Sequence, residues 1–370
     1  MGVVKLCDVA RESRLKWTKS KQDVPIVGLE HLIPNEIRFD AYDINTDNTF
    51  SKRFVKGQVL FGRRRAYQRK AAVAEFDGIC SGDITVIEAI EGKIVPELLP
   101  FIIQTPVFFD YANRGSAGSL SPRVKWEHLA DFEFELPPLE EQKVLADKLW
   151  AAYRLKEAYK KLLVATDEMV KSQFIEMFGN CKSQGTLSSL CATFIDGDWI
   201  ESKDQSDNGI RLIQTGNVGF GFFKGREDKS RYITEETFKK LNCTEVVSGD
   251  ILISRLPDPI GRACIVPEGI GKAITAVDCT IVRLNATLLP EFLISFSKTA
   301  LYASQINKIK TGTTRLRVSR GNLGNVIIPI PPIESQHHFA AIAQQADKSK
   351  FELKQCIEHI DKVIKSLING

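Results

Sequence analysis

The sequence predicts an α+β protein built from two tandem copies of one unit. Each copy is a compact α+β globule followed by a long helix, and the two helices pair antiparallel, as a coiled coil, in a pseudo-two-fold internal repeat. Three observations carry this reading. Pro137-Pro-Leu-Glu-Glu-Gln142 returns 194 residues later as Pro331-Pro-Ile-Glu-Ser-Gln336. Behind each of these motifs, apolar residues recur at steps of three and four, the spacing of one helix face. Ahead of each, short β-rich runs alternate with turns rich in Gly, Asp and Asn.

The first globule, residues 1–138, holds strand-like runs at Gln58-Val-Leu-Phe61 and Ile84-Thr-Val-Ile87. The central helix, residues 139–180, begins where Pro137-Pro138 stops the preceding strand, and Glu140 and Glu141 complement its dipole. Its expected seam is Leu145, Leu149, Ala152, Leu155, Tyr159, Leu162, Thr166 and Met169, and Phe178-Gly179-Asn180 is the expected stop, with Gly179 left-handed. The second globule, residues 181–332, repeats the layout with strands at Asp250-Ile-Leu-Ile-Ser254 and Thr280-Ile-Val-Arg-Leu284 and a helix over 290–309. Predominantly antiparallel sheets are expected in both globules. The last helix, residues 333–370, carries the seam Phe339, Ile342, Ala346, Ser349, Leu353, Cys356, Ile360, Val363 and Leu367. Forty helical residues span about 60 Å, and two such single-striped helices most simply bury their stripes against each other.

Smaller matches tie the globules together. Gly118-Ser-Leu-Ser-Pro-Arg-Val124 lies over Gly312-Thr-Thr-Arg-Leu-Arg-Val318, Pro96-Glu97 over Pro290-Glu291, Thr105 over Thr299, and Leu129 over Leu323. Lys56-Gly-Gln-Val-Leu-Phe61 matches Ser248-Gly-Asp-Ile-Leu-Ile253 at the slightly different offset of 192.

Composition bounds the setting. The chain has 370 residues, 50 Lys+Arg against 46 Asp+Glu, and a net charge of +4, too small to identify a polyanion partner. No run of ~18 apolar residues predicts a membrane span. The N-terminus, Met1-Gly-Val-Val-Lys-Leu-Cys-Asp8, lacks a signal-peptide layout, and the eight scattered cysteines contain no C-x-x-C pair. A cytoplasmic protein with free thiols is expected.

Charge position is more informative than charge total. Residues 51–74 carry eight Lys/Arg and no acid. Within them, Arg63, Arg64, Arg65, Tyr67, Gln68, Arg69 and Lys70 are candidates for binding nucleic acid, because cations neutralise phosphates and Arg reads guanine edges bidentately. The matching loop of the second copy, 254–262, keeps Arg255 and Arg262. A second basic loop recurs with Ser119, Ser121, Arg123 and Lys125 in one copy and Thr313, Thr314, Arg315 and Arg317 in the other. Alternating hydroxyls and arginines suit mixed phosphate and base contact. Arg211, Gln214, Thr215 and Asn217 have the chemistry for base readout, whereas Trp199 is expected to pack in the core. Catalytic signatures are scarce. Glu268-Gly-Ile-Gly-Lys-Ala273 is not a phosphate loop, and the five histidines form no zinc set with the cysteines. Asp83 with Glu91-Gly-Lys93 resembles a nuclease carboxylate set, but the second copy retains only Asp278.

The duplicated Pro-Pro-[Leu/Ile]-Glu-x-Gln entry to a long helix, each behind a variable globule, resembles the specificity subunit of type I restriction–modification systems, the HsdS family. Asp196-Gly-Asp-Trp-Ile-Glu-Ser-Lys-Asp-Gln205 through Arg211-Leu-Ile-Gln-Thr-Gly-Asn-Val-Gly219 is similar to the opening of such a target-recognition domain. The likeness spans the whole chain, although the globules match only in layout. It implies two target-recognition domains, each reading half of a bipartite double-stranded DNA sequence, with the helices as spacer and as dock for two methyltransferase (HsdM) subunits. It further implies a chain without catalytic activity that binds no cofactor itself. S-adenosylmethionine belongs to the methyltransferase, and ATP and Mg to restriction (HsdR) subunits where these are present. No membrane contact is implied. Two other readings remain open here: a coiled-coil adaptor with protein-binding globules, and a fragment of a type IIG-like nuclease–methyltransferase.

Overall fold

A computed structural model describes residues 2–369; the expected outer boundaries at Met1 and Gly370 lie outside them. The chain divides into two compact units. One comprises the residues up to Tyr159 together with those from Gln355 onward, and the other is Lys160–Lys354.

Each unit is built on a four-stranded antiparallel sheet with the same strand order. In unit 1 the order is Ala10–Glu12, Ile84–Ala89, Val59–Gly62, Ala71–Val73, and in unit 2 it is Cys191–Asp196, Cys279–Leu284, Ile251–Ser254, Ala263–Ile265. The inner strands Val59–Gly62 and Ile251–Ser254 are buried at every position. This explains their unbroken apolar runs, since both faces are covered. A second, three-stranded sheet corrects the mainly antiparallel expectation. Ile26–Val27 runs parallel to Gly78–Cys80, and Ile210–Ile213 runs parallel to Ala273–Thr275. The third strand joins on opposite sides in the two units: Lys52–Phe54 pairs with Gly78–Cys80, whereas Tyr232–Ile233 pairs with Ile210–Ile213.

The helix expected over 290–309 is two helices, Pro290–Ser297 and Ala300–Ile309. Thr299 separates them by capping the second, its hydroxyl accepting from the Tyr302 N–H. Thr105 does the same for Phe108 at the start of Pro106–Arg114, which accounts for that matched pair of threonines.

The long helices run Leu139–Phe178 and Ile333–Asn369. They pair antiparallel, and each unit contains its own stretch of the pair. In unit 1, Lys156 Nζ meets Asp361 Oδ1 at 2.6 Å; in unit 2, Lys350 Nζ meets Asp167 Oδ1 at 2.7 Å. These are the same two positions of the repeat, exchanged between helices. The repeated glutamine is a clamp. Gln142 is buried, accepts from Val95 N–H at 2.8 Å and donates to Pro137 O at 2.8 Å. Gln336 accepts from Leu289 N–H at 2.9 Å and donates to Pro331 O at 2.9 Å and Thr287 O at 2.9 Å. The Pro-Pro-x-Glu-x-Gln motif therefore fastens each globule to the first turn of its helix.

The seam differs from expectation in phase. Leu149 is buried and Tyr159 half-buried, but Leu155, Leu162 and Met169 are exposed. The covered stripe continues from Leu149 to Tyr153, Lys156, Leu163, Val170 and Phe174 instead. A slip of one residue turns the stripe by about 100°. In the second helix Ile342, Leu353, Ile360 and Leu367 lie on covered positions, whereas Val363 is exposed and Ile364 takes its place. The cause is that each helix packs against a globule as well as its partner: Ile364, Leu367 and Ile368 cover the core of unit 1, and Val170, Phe174 and Phe178 that of unit 2. The first long helix stops at Phe178. Gly179 donates to Ile175 O at 2.7 Å and is not among the glycines with positive φ, so the expected left-handed stop is not used.

Candidate nucleic-acid interface

In unit 1 the two basic loops, about 50 residues apart in sequence, form one surface. Strand Val59–Gly62 runs out into Arg63, whose N–H donates to Asp83 O at 2.9 Å and whose carbonyl accepts from Val124 N–H at 3.0 Å. Arg65 N–H donates to Pro122 O at 2.8 Å. Arg65 and Arg69 take left-handed backbone (φ 54° each) on either side of the single turn Ala66–Gln68. That turn leaves Tyr67 58% exposed. Opposite it, Ala117 and Arg123 close a hairpin by exchanging backbone hydrogen bonds, and Leu120 at its tip is 89% exposed.

Asp83 joins the two loops. Its carboxylate accepts from Arg123 Nε at 2.7 Å and from Arg64 Nη1 at 3.3 Å, while Arg64 Nη2 donates to Ser121 Oγ at 3.0 Å. Burial alone pushes this carboxyl upward, but the Arg123 and Arg64 guanidiniums outweigh it and hold it below its ordinary value. The carboxylate that resembled part of a nuclease set is thus an anchor for two arginines. Of the remaining candidates, Gln68 is half-buried, Ser119 and Lys125 are exposed, Arg69 lies 3.8 Å from Asp110, and Lys70 points inward to Leu29 O at 2.6 Å.

Unit 2 repeats the backbone frame. Arg255 N–H donates to Asp278 O at 2.9 Å, Val318 N–H donates to Arg255 O at 3.2 Å, and Thr311 and Arg317 close the equivalent hairpin. Its side chains are used differently. Arg255 is mostly buried and is held by Asp196 at 3.3 Å and by Val318 O. Arg262 donates to Thr215 O at 3.2 Å and to Ser254 Oγ at 3.1 Å. Here the two loops meet through Lys310 and Asp258, 2.6 Å apart. Thr313, Thr314, Arg315 and Arg317 are exposed on the hairpin.

Three expectations are corrected in this unit. Asn217 is buried, with its carbonyl accepting from Gln214 N–H at 3.0 Å and its amide donating to Lys224 O and Gly225 O, so both donors are spent and the side chain is turned into its own loop. Arg211 is committed to Glu227 at 3.0 Å and to Gly225 O. Both residues order the 214–225 loop, leaving Gln214 and Thr215 half-buried beside it. Trp199, expected in the core, is 71% exposed. Its neighbours Asp196 and Asp198 are tied instead to Arg255 and to Thr244 N–H, which anchors the segment without the indole.

Glu30, His31 and Asp43 come close enough to suggest a cation site. His31 Nδ1, however, accepts from Gly28 N–H at 2.9 Å, so in the neutral ring Nε2 carries the proton, 3.7 Å from Asp43. A ring held this way has no lone pair to offer at Nε2. All eight cysteines are free thiols. Among the described residues no helix is long and apolar enough to cross a membrane.

Comparison with known proteins matches the model of the type I restriction modification DNA specificity domain twice, over residues 3–163 and 185–362. The EcoDI specificity subunit of Escherichia coli is 31% identical over 132 residues, 34% of this chain and 29% of that subunit. The putative MjaX specificity subunit of Methanocaldococcus jannaschii is 20% identical over 96% of this chain and 87% of its own length. A chain solved in work on complex assembly and conformational transition of the type I R-M system shares the fold, with a TM-score of 0.61 at 18% identity over 100% of this chain and 96% of that one.

Proposed function

This chain belongs to the type I restriction modification DNA specificity domain family, and from that premise we propose that it is the DNA-recognition subunit of a type I restriction–modification complex. Each globule reads one half of a bipartite double-stranded target, and the helix pair spaces the two readers and docks two methyltransferase subunits. The chain itself carries out no catalysis. S-adenosylmethionine is held by the methyltransferase, and ATP with Mg by restriction subunits where they join.

The observation that best supports this reading is the twofold construction of one surface from two sequence-distant loops. In both units the residue leaving the inner strand, Arg63 or Arg255, is bonded to the base of the hairpin at Val124 or Val318. One frame thus presents different side chains: Arg64, Arg65, Tyr67, Leu120 and Arg123 in one unit, and Thr313, Thr314, Arg315 and Arg317 in the other. A common backbone with divergent tips suits two readers of two different half-sites, because phosphate contacts position a module while side chains at base edges specify sequence.

Replacing Arg63, Arg64 and Arg65 together with Ala should weaken DNA binding by the complex reconstituted with methyltransferase. It should also reduce the salt slope by roughly 0.9 for each phosphate that is no longer neutralised. In methylation mapping, any relaxed base positions should fall in one half-site only. Unchanged binding and unchanged mapping would remove this loop from the interface.

A further inference from the structure

Unit 2 contains a cavity of about 640 Å³ between its helix pair and helix Pro290–Ser297. The repeat shows what this space is. Its lining includes Ile265, Lys298, Gln344 and Asp347. The repeat offsets place these over Val73, Gln104, Trp150 and Tyr153 of unit 1.

In unit 1 the corresponding space is filled by the chain's own Glu36-Ile-Arg38. Ile37 is buried, and its carbonyl accepts from Val73 N–H at 2.8 Å, so the segment lies along the edge of the four-stranded sheet. Gln104 Nε2 donates to Glu36 O at 2.8 Å, Tyr153 OH to Glu36 Oε2 at 3.2 Å, and the Arg38 guanidinium lies 4.8 Å from the Trp150 ring centre.

Among the described residues, unit 2 has no such filler. The hydrogen bonds from Ser254 N–H to Arg262 O and from Val266 N–H to Asp250 O fix the antiparallel alternation, which turns the Ile265 N–H outward from the sheet. No described residue accepts from it. The described chain reaches this edge at Gly221, which donates to Ala263 O at 2.8 Å, and the hairpin around it leaves Phe220 and Phe222 exposed. Lys298, in the place of Gln104, is largely buried with no ion-pair partner among the described residues, whereas nearby Lys350 is held by both Asp167 and Asp347. Burial pushes the Lys298 ammonium below its ordinary value; Asp347 and Asp167 oppose this, and Lys350 and Lys171 add to it. Glu291 and His337 complete the charged lining.

A sheet edge open at Ile265 and an apolar wall of Ala340, Ala343 and Ile265 are the counterpart of what Glu36–Arg38 satisfies in unit 1, while Lys298 puts an unpaired cation where Gln104 holds the Glu36 main-chain carbonyl. We propose that this cavity is a docking site for an extended segment of a partner polypeptide, with an acidic residue followed by an aliphatic one. The segment adds a main-chain hydrogen bond to Ile265 N–H and places its aliphatic side chain against Ala340 and Ala343, as Ile37 packs into the core of unit 1. Its carboxylate turns to Lys298, away from Asp347, which replaces the Tyr153 that meets Glu36 in unit 1. This is strand addition at a sheet edge, where the main chain supplies affinity and the pockets supply selectivity. It goes beyond the DNA-recognition reading and does not depend on it.

The probe is a fluorescent peptide with the sequence of residues 33–40, Ile-Pro-Asn-Glu-Ile-Arg-Phe-Asp, titrated into the full chain by anisotropy. Saturable binding is expected, weakened at least tenfold by Ala340→Trp. Lys298→Gln should weaken it several-fold and remove most of its salt dependence. Because a tryptophan there could disturb folding, Ala343→Leu serves as a milder block, and thermal melts accompany each variant. Absence of saturation at millimolar peptide would overturn the proposal, as would equal binding by a folded Ala340→Trp chain. Complete competition by inorganic phosphate would reduce the cavity to an anion site. Self-association in sedimentation that disappears with Ala343→Leu would make a second copy of this chain the occupant, against a separate partner.

Discussion

Unit 1 closes the space beside its helix pair with its own residues, and unit 2 leaves the same space open. The difference lies in a few side chains on a shared frame. Trp150 and Tyr153 give unit 1 two aromatic surfaces on which Arg38 and Glu36 settle; Gln344 and Asp347 occupy those helix positions in unit 2. Unit 2 places its aromatic mass elsewhere, where Phe174, Phe178, Phe292, Phe296 and Phe339 form a contiguous cluster with ring centres 5.0–6.0 Å apart. A duplicated fold can therefore hold its hydrogen-bonded frame fixed while the packing beside the helices is redistributed.

The largest test of that contrast is at the start of each helix. Phe339 is fully buried, whereas its counterpart Leu145 is half-buried. Phe339→Ala should cost about 3–5 kcal/mol through lost burial and the cavity left behind. Leu145→Ala should cost clearly less. Equal losses in urea unfolding would show that the two helix starts are packed alike after all.

The glutamine clamps should behave in the opposite way, as a feature the units share. Gln142→Ala and Gln336→Ala each deprive a backbone N–H, of Val95 or Leu289, of its acceptor. Each should cost roughly 1–3 kcal/mol. A markedly unequal pair would mean that only one copy depends on the motif.

Lys298 gives the smallest effect. Its pKa is lowered from 10.5 in the folded chain, so the penalty of its charge is full below the folded value and is relieved as pH rises from there to 10.5. Lys298→Gln, which installs the residue of unit 1, should raise the melting temperature by a few degrees near pH 7. That gain should shrink as pH rises toward 10.5. No gain near pH 7 would place the ammonium in water, and a gain that did not change with pH would have a cause other than its charge.

Much of the architecture was legible in the sequence because local chemistry and repetition determine it. The Pro-Pro motifs located both helix starts and the apolar runs located the inner strands; the matched threonines were visible as a pair, but only the fold shows that they cap helices. Asn217 and Arg211 misled because a polar side chain suited to a base edge is equally suited to tying down its own loop. Trp199 misled because residue type does not report burial. The seam misled because a repeat of three and four can be drawn in two phases, and a sequence does not say which one a globule will cover. Asp83 could be read in the sequence only beside Glu91 and Lys93, as a resemblance to a nuclease set, since Arg64 and Arg123 reach it from loops far apart along the chain.

By itself, the sequence determined that the chain is a repeat of globule and helix, where the two long helices begin, and which loops concentrate positive charge. These follow from turn chemistry, periodicity and composition, all of which act over a few residues. Only the tertiary structure decided which arginines face outward and which are held by a carboxylate, that the motif glutamines are clamps, and that one groove is filled while its counterpart is open. Those outcomes depend on residues tens to hundreds of positions apart, where each group's role is set by the neighbours folding brings to it.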